Sequence, residues 1–318
     1  MLLLLCLWVL VATPWMQQRA AEYAEHRLSK MLGTEVTVDG LRLGLLNRFS
    51  LTGVKINDRQ GDTLVYVGDL RLAVTDWFPF KDIPRISYVR LDDALIKLQR
   101  WDTTWNHQFV LDIFAGGDTA ASKSRPIGLQ LDIVELNRVR FERLDHWRGR
   151  LLYSGVGHMN AKGRSFDLEN GRVHLDKVNL DAPEYREFRI GGLWSDADST
   201  EFWRRIDSMD ALPRQPYIPD PDPFILTADK VDITNGNLRF FNRRTRPSIA
   251  GEFDERDIII TELQGNVRNF SLKGDTVNAL VQLSAAERSG MRIASLSTRF
   301  TMHPQMMEFA DLDLTTDR

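Results

Sequence analysis

Adjacent carboxylates, single histidines, paired glycines and one acidic loop are the residues of this chain whose types and spacing could do chemistry. Asp92 and Asp93 would suit general acid–base work if both reached one substrate atom. Neighbouring residues of a strand point to opposite faces, so that requires a bulge. The apolar phase does shift here, from Val89 and Leu91 to Ala94, Ile96 and Leu98, and the plain reading is a bulge that bends a sheet. His26, His107, His146, His158, His174 and His303 stand singly, none at the i, i+4 spacing of a helical zinc site, and read as satisfied surface or strand positions. Gly155-Val156-Gly157 begins like a phosphate loop but lacks the third glycine and a following Lys-Ser/Thr, and reads as a hairpin turn. Asp196-Ala197-Asp198-Ser199-Thr200 alternates oxygen ligands like a calcium loop. Glu201, however, stands where glycine is needed and Asp207 where glutamate is needed, so an N-cap and solvated loop account for it. Glu287-Arg288-Ser289-Gly290 lacks the first glycine of a serine-hydrolase elbow. The sequence assigns no catalytic residue, no metal ligand and no cofactor, and predicts a protein that is not an enzyme.

Composition describes the body that carries these residues. The 318 residues are 43% hydrophobic and 27% charged, which suits a folded chain with a sizeable core. A net charge of −3 and the lack of a run of five basic residues argue against nucleic acid as a partner. Cys6 is the only cysteine and lies in an apolar run, so no intrachain disulfide can form.

Residues 1–16 carry no charge, and Leu3, Leu5, Leu7, Trp8, Val9, Leu10, Val11 and Trp15 make them a candidate membrane anchor. As a helix they span about 24 Å against a hydrocarbon core of about 30 Å, so the anchor reads as slightly short and truncated at its start. A cleaved signal would need a basic leader and a small-residue cleavage site, and neither is visible. Arg19, Arg27 and Lys30 all lie on the C-terminal side, so an inward-facing start would require an upstream basic segment. Residues 17–33 repeat apolar groups at helical spacing (Ala21, Ala24, Leu28, Met31, Leu32) and stop at Gly33.

From Val36 the period is two. Strand patterns follow through Leu51-Ile56, a hairpin loop at Asp58–Asp62, Leu64-Val67 and Leu70-Val74, and recur to the end of the chain. Val134–Phe141 and Val231–Phe240 look alike, each a strand, an Asn turn and a second strand, and read as a degenerate hairpin repeat. Helical pattern is limited to a turn at Phe109–Phe114 and a stretch from Ser199 to Met209. The domain reading is an anchor over 1–16, an amphipathic helix over 17–33, a β body over 34–211, a Pro-rich loop over 212–223 and a continuation of the β body over 224–318. One-sided strands with so few helices must bury their apolar face on another sheet, on themselves, or on something that is not protein. The strand pattern alone favours a sandwich or barrel, with a long curved sheet as the alternative.

A family resemblance reverses that order. Leu32-Gly33-Thr34-Glu35-Val36-Thr37-Val38-Asp39-Gly40, Phe49-Ser50-Leu51-Thr52-Gly53-Val54-Lys55-Ile56-Asn57-Asp58 and Gly61-Asp62-Thr63-Leu64 resemble the N-terminal region of AsmA-like proteins, specifically the TamB translocation and assembly module of Bacteroidota-type bacteria. Phe253-Asp254-Glu255-Arg256-Asp257-Ile258-Ile259-Ile260, Leu272-Lys273-Gly274-Asp275 and Glu287-Arg288-Ser289-Gly290 resemble that family's next module. The resemblance implies a mainly β fold: an N-terminal membrane helix followed by an elongated, curved antiparallel sheet, a taco-like β-groove with few short helices. It implies a single-pass protein of the bacterial inner membrane with its body in the periplasm, the chain being an N-terminal fragment of a longer protein. Membrane lipids would be its partners, in phospholipid transport between membranes and outer-membrane biogenesis. The alternative is a scaffold that assembles outer-membrane β-barrel proteins by strand pairing, with the outer-membrane assembly machinery as partner. Candidate lipid-lining residues are Leu70, Leu72, Val74, Ile96, Leu98, Leu131, Ile133, Val139, Phe141, Val231, Ile233, Leu238 and Phe240.

Overall fold

The architecture is that of a computed structural model. It describes residues 13–44, 48–74, 85–115, 128–167, 171–193, 220–243 and 251–317, together with Asp198, Thr200, Glu201, Arg204, Tyr217, Ile218 and Ile249. Of the anchor candidates, Leu3, Leu5, Leu7, Trp8, Val9, Leu10 and Val11 lie outside the described residues, as does most of the acidic loop at 196–207. Among the described residues no helix is long and apolar enough to cross a membrane.

Helix α1 (Pro14–Leu32) begins three residues before the expected boundary. Thr13 is extended and Pro14 occupies the first helical turn, where its missing N–H costs nothing. Trp15 is therefore the start of this helix and is exposed. Gly33 ends it in a left-handed conformation, its N–H donating to Ser29 O at 2.9 Å. Helix α2 (Gln108–Ala115) replaces the expected turn at 109–114.

Twelve strands follow α1: β1 (Val36–Gly44), β2 (Arg48–Asn57), β3 (Thr63–Val74), β4 (Arg85–Arg100), β5 (Gly128–Asp145), β6 (Arg150–Asp167), β7 (Arg172–Arg189), β8 (Ile225–Asn242), β9 (Asp257–Lys273), β10 (Thr276–Glu287), β11 (Arg292–His303) and β12 (Met306–Asp317). They form one long, open, curved sheet in chain order. The sandwich or barrel suggested by pattern alone is not what forms. Among the described residues, strands pack on their sheet neighbours, and the only other layer is α1 with α2 at the β1 end. The expectation of an antiparallel sheet needs a correction at two places, because β4/β5 and β7/β8 are parallel. Parallel neighbours need a crossover rather than a hairpin. Residues 101–127 and 190–224 supply the two crossovers.

The hairpin repeat is a second correction. Val134–Phe141 and Val231–Phe240 lie wholly inside β5 and β8, single 18-residue strands that each open a run after a parallel joint. What read as a turn is one left-handed residue, Arg138 (φ 51) or Asn235 (φ 55). Gly155-Val156-Gly157 is likewise no turn but the middle of β6.

These positions belong to one crease across the sheet. Pairing carries a single row through Asp39, Gly53, Gly68, Asp93, Arg138, Gly157, Ala182 and Asn235 without a register shift. The strands running one way, β2, β4, β5, β7 and β8, place a left-handed residue there: Gly53, Asp93, Arg138, Ala182 and Asn235. The returning strands β3 and β6 place Gly68 and Gly157. A Cβ on Gly68 would lie 3.1 Å from Asp93 Cβ, and one on Gly157 would lie 3.1 Å from Ala182 Cβ. The bulge expected at Asp92-Asp93 is this crease. Asp93 is left-handed (φ 55), but no extra residue is inserted there.

Candidate functional site, an apolar face kept on one side

A left-handed residue turns its side chain to the same face as its predecessor. Thr234 Oγ1 and Asn235 Nδ2 show this directly, donating to the same atom, Asp181 Oδ1, at 2.8 and 2.7 Å. The alternation therefore slips by one residue at the crease, and the sequence slips with it: Val89 and Leu91 before Asp93, Ala94 and Ile96 after it; Val134 and Leu136 before Arg138, Val139 and Phe141 after it. The two slips cancel, and these apolar residues of β4 and β5 stay on one face across the crease.

Pairing then joins them across strands. Leu41, Leu51, Leu70, Leu91, Leu136, Met159, Leu180 and Ile233 form one unbroken row from β1 to β8. On the other side of the crease Ile56, Val65, Ile96, Phe141, Ser154, Tyr185 and Leu238 form a second. Seven strand spacings make the first row about 34 Å long, and six make the second about 29 Å. Buried Ala161, Val178 and Ala228 pack with Val134, Met159, Leu175, Leu180, Val231 and Phe270, which keeps this surface apolar as far as β9.

The candidate lining residues divide accordingly. Leu70, Leu72, Val74, Val139, Phe141, Val231, Ile233 and Leu238 are half-buried, while Ile96 and Phe240 remain 38% and 37% exposed. Leu98 instead packs beneath the helices with Leu32, Val36, Leu64 and Phe109, so it is covered by protein. Ile133 pairs with Tyr88 and Lys162 in a polar row and so faces the other way. The cause is a register shift in β5, where Leu129 opposes Ile86 but Ile133 already opposes Tyr88, and Leu131 falls inside that irregularity.

The opposite face is ionic. Arg90 holds Asp92 at 2.8 and 3.0 Å and Tyr88 donates to Glu135 at 2.7 Å. Along the crease Arg138 grips Asp93 through both oxygens, at 2.5 and 2.7 Å. The Arg71 guanidinium beside Asp69 holds that carboxyl below its ordinary range, and the Thr234 hydroxyl and Asn235 amide do the same for Asp181. Burial and the Glu135 carboxylate push the Tyr88 hydroxyl up. Gly155 and Gly157 leave a recess of about 600 Å³ on this face, walled by Tyr66, Asp93, Arg138, Arg140 and Glu184. Aromatic groups that reach this side are covered by cations, as Phe188 and Phe241 are by Arg239 and Tyr153 is by Arg186. The apolar face has no such cover beyond α1 and α2 among the described residues.

The histidines read as isolated in sequence are not all so. His174 comes together with Asp176 and Asp229, 53 residues further on, because β7 and β8 pair in parallel. No local spacing signals that grouping.

No family model matches the chain, and no curated protein matches it.

Proposed function

We propose that this chain is one wall of a lipid conduit. An inner-membrane protein, anchored by its N-terminal segment, would extend its β body through the periplasm as a taco-like groove and pass phospholipid between membranes for outer-membrane biogenesis. The reading rests on one observation, an apolar face held on one side of an open sheet by an in-register crease and, among the described residues, covered only at its β1 end. The resemblance of the N-terminal segments to AsmA-like proteins points the same way. Exposing acyl chains to water costs about 0.8 kcal/mol per CH₂, and a continuous apolar lining removes that cost without a nucleophile. Such a protein would act without covalent catalysis.

Native mass spectrometry of the detergent-solubilised protein is expected to find copurified phospholipid. Replacing Ile96, Phe141 and Ile233 by Glu puts three carboxylates on the lining and is expected to abolish lipid transfer with the fold retained by circular dichroism. Undiminished lipid flux in that triple variant would falsify the conduit.

The scaffold reading draws on β12, which pairs with β11 alone among the described residues and exposes Met307, Phe309, Leu312 and Leu314. An open edge accepts an incoming strand by main-chain hydrogen bonds. Crosslinkers on β12 that capture nascent barrel proteins in place of lipid would favour it.

A further inference from the structure

The polar face at the second parallel joint carries a square of four side chains. His174 and Asp176 alternate on β7, and Thr227 and Asp229 alternate on β8. The parallel register sets His174 beside Thr227. It also sets Asp176 beside Asp229, between the pairs Leu175–Ala228 and Lys177–Lys230. Leu175 and Ala228 face the other way, into the apolar cluster. One ligand atom from each of His174, Asp176 and Asp229 lies within 4.8 Å of the others.

Hydrogen bonding holds the imidazole. Thr227 Oγ1 lies 2.7 Å from His174 Nδ1 and 3.4 Å from Val173 O. When the hydroxyl donates to Val173 O, it accepts from Nδ1, and in that tautomer Nε2 offers a lone pair. It faces Asp229 Oδ1 at 3.4 Å, sealed from water and without a hydrogen-bond partner. In that tautomer two acceptors stand face to face, and a cation between them satisfies both. Asp176 Oδ1 is sealed in the same way; Arg164 Nη2 approaches it to 2.6 Å, but not along a hydrogen-bond direction, and lies 3.3 Å from Asp229 Oδ2.

The geometry points to a zinc site: His174 Nε2, Asp176 and Asp229 bind one Zn²⁺, with water in the fourth position. Ligands at about 2.0–2.1 Å on a tetrahedral ion stand about 3.3–3.5 Å apart, and the Nε2–Oδ1 separation is already of that size. An imidazole with two carboxylates suits zinc better than magnesium, which keeps to oxygen. Thr227 orients the ring from behind, as outer-shell partners of metal-bound histidines do. Arg164, 61% exposed, is the internal cation the metal displaces. The ion would tie β7 to β8, strands that no hairpin joins. This inference does not depend on the conduit reading.

The full chain, stripped with a chelator and dialysed, is titrated with zinc chloride by calorimetry. One Zn²⁺ per chain is expected, with a Kd of about 1 μM or tighter and no competition from excess Mg²⁺. His174→Ala and Asp229→Asn should each weaken binding at least about a hundredfold, and Thr227→Val about tenfold. Arg164→Ala, which removes the competing cation, should tighten it. Wild-type binding no better than millimolar would overturn the site. Equal binding by wild type and the His174 variant would overturn it as well. Should His174→Ala fail to fold, Thr227→Val and Arg164→Ala still decide, since only a metal at this place moves them in opposite directions.

Discussion

Between β1 and β8 the crease passes from strand to strand with the register unchanged, whereas in β9 it is made by inserted residues. Against β10, β9 steps from Ser271 to Arg268 while its partner steps only from Asn278 to Leu280, and from Gln264 to Thr261 against Ser284 to Ala286. The extra residues fall at Asn269 and Glu262, the two left-handed non-glycine positions of β9. Both devices put consecutive side chains on one face, and they differ in what they ask of the neighbour. The in-register crease needs a glycine in each antiparallel pair it crosses, as Gly53 is opposite Asp39, Gly68 opposite Asp93, and Gly157 opposite Arg138 and Ala182. The bulged crease tolerates Ala285 opposite the insertion. Because the first device consumes no register, it also passes unchanged through both parallel joints, where β4/β5 hold one offset across the crease and β7/β8 hold one offset throughout.

The largest expected effect separates the two devices. Gly157→Val drives new atoms against Ala182 Cβ and the Asp181 carbonyl, and should destabilise by about 1–3 kcal/mol in urea titrations, while Ala285→Val should stay within about 0.5 kcal/mol. Equal costs would show that the in-register crease has more room than its backbone suggests. Next is Asn235→Val, which forces a β-branched residue into the left-handed region and removes the amide bond to Asp181, for about 1–2 kcal/mol. Glu262→Gly relieves the same conformation where no partner strand demands it, and a thermal melt should show a gain below about 1 kcal/mol; a loss would mean that the Arg292–Glu262 contact matters more than backbone strain. The smallest effect is acid sensitivity. Asp181 is held below its ordinary value of 3.8, so its contribution is complete above that value and disappears as pH falls through the folded value. Asp181→Asn should flatten this part of the pH–stability curve, and an unchanged curve would remove Asp181 from the crease network.

Much of this geometry was legible along the chain. The slip from Val89/Leu91 to Ala94/Ile96/Leu98 is visible without a structure, because apolar residues record which face each position occupies. Gly33 as a helix stop and the turn at Asp58–Asp62, where Asp58 Oδ1 accepts from the Gln60 and Asp62 amides at 3.0 and 2.9 Å, follow from local chemistry. Ile133 and Leu98 were not separable from the true members of the apolar face. A register shift in β5 decides the first and the packing of two helices the second.

Strand content, the phase of each apolar stripe and the places where that phase slips were determined by the sequence itself, since they depend on neighbours two to four positions away. Partner choice was decided only in the tertiary structure. Asn235-Gly236 carries the local signature of a hairpin turn, yet the chain runs straight on, because β7 on one side and β9 on the other supply hydrogen bonds that a hairpin would forfeit. The same non-local pairing gathered His174, Asp176 and Asp229 and turned slipping stripes into one face.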